Sequence, residues 1–284
     1  MSRRIWNRIR QEFGLWLQAA PPGIVVLFMA ILIRITGGMQ SWEWMLFDRM
    51  LCLRPVEKLD ERVVIVGIDE KDIEWVRQYP IPDEKIAELL TKLETYKPLA
   101  IGLDIFKNVP VEPGGKQLAQ VLQQNTNIIG IQKILPPEAT SPPHNLPPER
   151  VGFVDLPNDR DSKNRRYLLF TTNPQNPDNI NEDKYSLALR LVIKYFQAKG
   201  IELETGKNDA NTIRFRGIEL PRITQNFGGY VGVNDGGLSI LMNFRNTYKP
   251  FHVIATASVV RTLSAGHTPS HHVDNQTGQV ACES

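Results

Sequence analysis

The sequence predicts an α/β protein in which an N-terminal transmembrane helix precedes a mixed sheet with a parallel βαβ core and an added antiparallel portion. Three observations favour this class. Residues 15–33 form a run without a charged side chain. Two short apolar segments, 62–68 and 99–104, enclose a helical pattern at 83–96, as in a βαβ unit. Shorter apolar runs bounded by glycine and polar turns follow them, which is typical of additional strands.

The uncharged run is long enough to cross a membrane. A helix over residues 15–35 rises about 1.5 Å per residue and so reaches across a hydrocarbon core of roughly 30 Å. Arginines crowd the first ten positions, whereas only Arg34 and Arg49 follow the run closely, and positive charge favours the cytoplasmic side. We therefore expect a basic cytoplasmic segment at 1–14, a single span at 15–35 and an extracytoplasmic remainder. The alternatives are a buried core helix and a cleaved signal peptide.

The remaining elements are predicted from apolar spacing. Residues 41–53 predict a second helix, lying either along the membrane surface or docked on the folded domain. The segments 62–68 and 99–104 predict adjacent parallel strands, joined by the helix at 83–96. Beyond them the pattern predicts helices and strands in the order helix 114–124, strand 127–131, a hairpin of 151–155 with 165–170, helix 185–198, and strands 213–215, 230–233 and 238–243.

Composition sets the broad class of protein. The 284 residues are 42% hydrophobic and 23% charged, which is ordinary for a globular chain and excludes disorder of the whole protein. The 33 basic and 31 acidic residues leave a net charge of +2, which is too small to indicate nucleic acid as a partner.

No motif for catalysis, a metal or a cofactor is found in the sequence. There is no phosphate-binding loop and no serine or cysteine nucleophile motif. Asp155, Asp159 and Asp161 are spaced like part of a calcium loop, but the glycine and the distal glutamate of that motif are missing, so we interpret them as a solvated turn. The three histidines within 267–272 lack Cys, Asp or Glu partners at ligand spacing.

Three residues are candidate ligand contacts. Asp69 and Asp104 each come directly after an apolar strand, where open α/β sheets bind ligands. If the two strands are neighbours, the carboxylates could share a cation or polarise a ligand, or act as acid and base in hydrolysis. The structural alternatives are that Asp69 caps the following segment and that Asp104 hydrogen-bonds nearby backbone amides. Arg245 is the third candidate, as an anion partner, with surface ion pairing as its alternative.

Seven groups of short motifs occur in order between about residues 40 and 255. They are Phe47-Asp-Arg49; Val63-Val-Ile-Val-Gly-Ile-Asp-Glu70; Ala100-Ile-Gly-Leu-Asp-Ile-Phe106; Pro110-Val-Glu-Pro-Gly114; Val151-Gly-Phe153 with Arg165-Arg166; Tyr185-Ser-Leu187; and Gly229-Tyr-Val231 with Leu241-Met-Asn-Phe-Arg245. Together they resemble the CHASE2 family, the extracytoplasmic sensory domain of bacterial, notably cyanobacterial, signalling proteins. The resemblance implies a sensor domain at residues 40–258.

The resemblance also implies a downstream part. Such a domain usually carries a further strand after its Asn-Phe-Arg segment, then transmembrane helices and a cytoplasmic adenylate cyclase, histidine kinase or serine/threonine kinase. From about Val259 this chain turns polar. We therefore expect a truncated or frame-shifted copy, without the further strand, with an unpaired sheet edge in its place and a disordered tail at 259–284.

The leading functional hypothesis is a membrane-anchored extracytoplasmic sensor of an unidentified small ligand, without catalytic output of its own. Its expected partners are the membrane, that ligand and a second copy of the chain in a homodimer. The alternatives are an anchored periplasmic hydrolase that uses Asp69 and Asp104, and an interaction protein that binds no ligand.

Overall fold

The computed structural model describes residues 22–174, 183–247 and 249–262. The first part of the predicted transmembrane helix, residues 15–21, lies outside the described residues, and so do the three histidines and most of the predicted tail. The chain divides into two compact units. We call residues 22–53 with 224–234 the helical unit, and residues 54–223 with 235–262 the α/β unit.

The helical unit is built on helices α1 (Pro22–Ile35) and α2 (Gln40–Cys52), which bend by 77° at the turn between them. Within the described residues no single helix has both the length and the apolar composition to cross a membrane, whereas the bent pair has both when taken together. The segment 224–234 packs on α2, where the ring centres of Trp44 and Tyr230 lie 5.2 Å apart. The range of α2 confirms the helix predicted at 41–53.

The α/β unit contains eleven strands among its described residues. They are β1 (Asp60–Gly67), β2 (Ile101–Gly102), β3 (Ile128–Gln132), β4 (Val151–Phe153), β5 (Arg166–Thr172), β6 (Asp183–Tyr185), β7 (Leu203–Thr205), β8 (Ile213–Phe215), β9 (Ile218–Glu219), β10 (Leu238–Leu241) and β11 (Phe251–Ala255). Its α-helices are α3 (Glu70–Val76), α4 (Asp83–Glu94), α5 (Gly115–Gln124), α6 (Leu187–Gln197) and α7 (Thr256–Thr262), and a short 3₁₀ turn spans Pro148–Arg150.

A parallel sheet of β2, β3 and β4 forms the centre of the α/β unit. Helices α4 and α5 pack over it through an apolar cluster that includes Ile86, Leu90, Leu118 and Ile128, each at most 4% exposed. Helix α6 packs against the same sheet at Gly152 of β4. A Cβ at this position would lie only 2.5 Å from Leu187 Cα. The glycine therefore permits the helix to approach the strand closely.

Two antiparallel sheets make up the added portion. One has the order β10-β5-β6 and the other β7-β8-β9. They share an apolar cluster with α6, in which Leu189 is 2% exposed and Leu238 is fully buried. The predicted combination of parallel and antiparallel sheets is confirmed.

The predicted pairing of the first two strands is wrong. Strand β1 pairs in parallel with β11, and β2 pairs with β3 in a different sheet. The reason is that an apolar run specifies burial and strand formation but not the partner strand. Helix α4 packs against both sheets, because its Ile86 and Leu90 belong to the central apolar cluster whereas its Leu89 packs with Val66 of β1 and Ile254 of β11.

The expectation that the chain lacks a strand after its Asn-Phe-Arg segment is also wrong. Strand β11 follows that segment and pairs with β1 over Asp60–Gly67. Helix α7 then continues beyond the expected domain boundary at residue 258, with Val259 and Val260 buried at 3% and 5% exposure. Residues 263–284 of the predicted tail lie outside the described residues.

Two further strand predictions need correction. Residues 151–155 and 165–170 do not form a hairpin, because β4 pairs in parallel with β3 whereas β5 pairs with β10 and β6. Residues 230–233 are not a strand but part of the segment that packs on α2, where Val231 N–H donates to Gln40 Oε1 at 2.9 Å.

Candidate functional site

Asp69, which follows β1, is the N-cap of α3. Its Oδ1 accepts from the Asp72 N–H at 2.9 Å, and Asp72 Oδ2 accepts from the Asp69 N–H at 3.0 Å, which completes a capping box. Asp72 is 1% exposed and also accepts from the Ala257 N–H. The pair thus caps the first turn of α3 and links that helix to α7. Of the roles considered for Asp69, the structure shows the cap.

Asp104 lies at the carboxyl end of β2 and is exposed. The N–H of the preceding residue, Leu103, still donates to the Ile129 carbonyl at 2.8 Å, so the strand ends directly before the carboxylate. Within the described residues the Asp104 side chain makes no hydrogen bond and no ion pair. Burial raises the pKa of Tyr167, and the negative charge of Asp104 adds to this increase.

Asp69 and Asp104 do not form a carboxylate pair in this fold. They follow strands of different sheets, and Asp69 is bonded to the backbone of its own helix. Among the described residues no group of three or more His, Cys, Asp or Glu side chains is arranged to hold a metal ion.

Arg245, the third predicted contact, belongs to an ion-pair network at the start of β1. Its Nη1 lies 2.9 Å from Asp60 Oδ2, and its Nη2 donates to the Lys58 carbonyl at 2.8 Å. Glu57 lies 3.4 Å from the same guanidinium, and Arg62 pairs with Asp60 at 2.6 Å. The guanidinium therefore holds the segment that leads into β1.

The network has a clear electrostatic consequence. Hydrogen bonds from Arg62, with a smaller contribution from the positive charge of Arg245, hold the pKa of Asp60 well below its usual range. Asp60 is 8% exposed, so its charge is compensated by these arginines rather than by bulk water.

A buried ion pair fastens the loop after β2 to the start of α4. Lys107 Nζ lies 2.7 Å from Asp83 Oδ1, and both side chains are 4% exposed. Lys107 also donates to the Ile81 carbonyl at 3.3 Å. Asp83 Oδ2 accepts from the Val111 N–H, and the Asp83 N–H donates to the Val111 carbonyl at 2.8 Å. Sequence analysis missed this pair, for which the available signal was a lysine placed directly after the apolar Ile105-Phe106.

Gly114 completes the same junction. Its φ is +111°, and a Cβ at this position would lie 2.1 Å from the Glu84 N atom. Only glycine lets the backbone pass this close to the first turn of α4. The preceding Pro113 carbonyl accepts from the Glu84 N–H at 2.9 Å, so the motif Pro110–Gly114 is a docking segment for the helix.

The turn between β4 and β5 contains a buried ion cluster of Asp159, Arg165 and Arg166. The interpretation as a solvated turn is correct for Asp161, which is exposed, but wrong for Asp155 and Asp159, which are buried. Asp159, 5% exposed, accepts from Arg165 Nη1 at 3.1 Å and from Arg166 Nε at 2.8 Å. Asp161 pairs with Arg165 at 2.6 Å, and Asp155 accepts from two backbone N–H groups of the loop after β3. The aspartates are therefore used for internal pairing rather than for calcium.

A cavity of about 550 Å³ lies beside α6, lined among others by Tyr185, Arg190, Ile193 and Leu203. The Arg190 guanidinium lies 4.6 Å from the centre of the Tyr185 ring and donates to two backbone carbonyls. Its hydrogen-bonding capacity is thus largely used within the protein. None of the three predicted ligand contacts lines this cavity.

The fold and these contacts define a mixed α/β domain whose motif residues mostly tie its own elements together. A family model for the CHASE2 domain matches residues 24–279. The chain therefore belongs to the CHASE2 family, a family of extracytoplasmic sensory domains, as the motifs predicted. The match includes β11 and α7. No curated protein and no solved structure matches the chain.

Proposed function

We propose that this protein is a membrane-anchored extracytoplasmic sensor that binds a small ligand at the carboxyl end of β2 through Asp104. The observation that carries the proposal is the CHASE2 match, because it extends over residues 24–279 and so from α1 to beyond α7. The family is sensory rather than catalytic.

Asp104 is the best supported ligand contact among the three candidates. Asp69 is used as a helix cap, and Arg245 is paired with Asp60. Asp104 is exposed and has no bonded partner among the described residues, at the strand end where open α/β sheets bind ligands. Its exposed carboxylate suits a cationic or hydroxyl-bearing ligand.

The geometry does not favour the hydrolase alternative. Acid–base catalysis by two carboxylates needs both groups at one reacting bond. The Asp69 carboxylate accepts a hydrogen bond from the backbone of α3. It follows β1, which belongs to a different sheet from β2, the strand that precedes Asp104. We therefore propose that the domain itself turns over no substrate.

The proposed anchor is the apolar segment 15–35, of which α1 is the described part. Ten large apolar side chains of α1 are 44–68% exposed, which suits contact with lipid better than contact with water. They are Ile24, Val25, Val26, Leu27, Phe28, Met29, Ile31, Leu32, Ile33 and Ile35.

The ligand site is tested by thermal shift of the full chain in detergent against a library of small amines, polyamines and polyols. We expect at least one compound to raise the melting temperature of the wild type and to lose this effect with Asp104→Asn. Glu74→Gln, which removes an exposed carboxylate on α3, is the matched control and should keep the shift. A shift that survives Asp104→Asn would place the ligand elsewhere.

A further inference from the structure

Helix α2 presents an apolar face that the rest of the helical unit does not cover. Trp42, Met45, Leu46 and Met50 are 51–69% exposed. At 100° per residue these four side chains fall within a sector of roughly 140°. Trp44, which is 5% exposed, lies on the opposite side of the helix. The helix therefore has one face fixed by protein contacts and an opposite face that is apolar and open.

The covered face of α2 is held by the segment 224–234. Trp44 packs on Tyr230, which is 4% exposed, and Gln40 accepts from the Val231 N–H. Gly229 permits this approach, since a Cβ there would lie 3.1 Å from the Glu43 side chain. These contacts fix which face of α2 points outward.

From this geometry we infer that α2 is an interfacial helix, whose open apolar face inserts into the lipid surface beside the point where α1 enters the bilayer. The inference rests on the proposed membrane anchor. Because α1 and α2 bend by 77°, an α1 that crosses the membrane near its normal places α2 close to the membrane plane. Indole and long apolar side chains on one face are characteristic of such helices.

Charged residues of the helix pair fit the same placement. Arg34, at the bend, pairs with Glu43 of α2 at 2.6 Å, so neither charge enters the headgroup region uncompensated. Arg49 is exposed within the apolar sector, and its long side chain can keep its aliphatic part in the apolar layer while the guanidinium reaches lipid phosphate.

A lipid surface fits this face better than a second copy of the chain. The apolar face of α2 continues directly into α1, whose apolar side chains are exposed along the helix and suit lipid. A bilayer covers both surfaces at once, whereas a partner helix of matching size would cover one of them.

Spin labels on the full chain in nanodiscs of phosphatidylcholine and phosphatidylglycerol test the inference. Both native cysteines are replaced by serine, and single cysteines are introduced as Leu46→Cys and Met50→Cys on α2, Leu27→Cys on α1, and Glu74→Cys as the water-exposed control. Collision rates with oxygen, which partitions into lipid, and with a water-soluble nickel chelate are compared. We expect oxygen to dominate at the labels on α1 and α2 and nickel at residue 74.

Nickel dominating at the α2 labels while oxygen dominates at residue 27 would overturn the interfacial placement and leave the proposed anchor intact. Exclusion of both reagents from the α2 labels, with spin–spin broadening, would also overturn it by showing that a second copy covers the face. Nickel dominating at residue 27 would overturn the anchor and the inference together.

Discussion

Lys107 shows how one side chain fixes the loop that carries the proposed ligand contact. With Asp83 it forms an ion pair whose members are both 4% exposed. Lys107→Met would leave the carboxylate buried without its cation, and losses of this kind cost about 3–5 kcal/mol. We expect the free energy of unfolding of the full chain, measured by urea titration, to fall by that order.

The matched control is Lys116→Met, which removes an exposed lysine of α5. We expect it to change the unfolding free energy by less than about 0.5 kcal/mol. Equal effects of the two substitutions would show that the buried pair has no special structural role.

Asp60 should make the free energy of unfolding depend on pH in the acid range. Its pKa is lowered in the folded protein by Arg62 and Arg245. The ionised group therefore contributes stability that is fully present above its unfolded pKa of about 3.9 and is lost as pH falls through and below that value. We expect Asp60→Asn to flatten the decline of stability between about pH 5 and pH 2, measured by urea titration at each pH. If stability declined with falling pH as steeply in Asp60→Asn as in the wild type, this result would contradict the role of the ion-pair network.

Residue roles were predictable from the sequence only where they are local. The cap at Asp69 was among the roles considered, because a cap bonds to residues two or three positions away. The partner of Lys107 lies 24 residues away and that of Arg245 lies 185 away, and such pairings depend on the tertiary fold. Asp104 was identified as a strand-end residue, but its exposure required the structure.

At the scale of elements, the junction between the loop after β2 and α4 depends on one glycine. Gly114→Ala would place a Cβ 2.1 Å from the Glu84 N atom in a backbone with φ +111°. Gly217→Ala is the control, because its φ is +78° and nothing lies within 4 Å of the added Cβ. Both substitutions carry a backbone cost because φ is positive, so a much larger loss at residue 114 than at residue 217 is the expected sign of the steric contact. Equal losses in thermal melts would refute the close approach.

Strand β11 and helix α7 should be required for a stable α/β unit. Removing all residues after 250 would delete the partner of β1 and expose the cluster around Leu89 and Val66. Removing only the residues after 262 keeps both elements. We expect the shorter chain to show a lower melting temperature and greater protease sensitivity than the chain that ends at 262. Equal stability would mean that β11 and α7 add little.

Most single elements were predictable, but their pairing was not. The helices at 83–96, 114–124 and 185–198 were located correctly because amphipathic spacing reports the buried face of a helix. The partner of β1 was assigned wrongly, because β11 lies about 190 residues away in the sequence, and strand patterns carry little information on pairing over such separations.

At the scale of the whole molecule, the CHASE2 match and the apolar N-terminal segment lead to one account. The α/β unit is a sensory domain, and the segment 15–35 is proposed as its membrane anchor. The arginines of the first ten residues, together with the positive-inside preference, support an extracytoplasmic α/β unit.

Paired reporter fusions in a bacterial host test this account most directly. Alkaline phosphatase, which is active only outside the cytoplasm, and β-galactosidase, which is active only inside it, are each fused after residue 262 and, as the matched control, after residue 14. We expect phosphatase activity without galactosidase activity at residue 262, and the reverse at residue 14. Strong galactosidase activity without phosphatase activity at residue 262 would contradict the extracytoplasmic placement of the sensory domain.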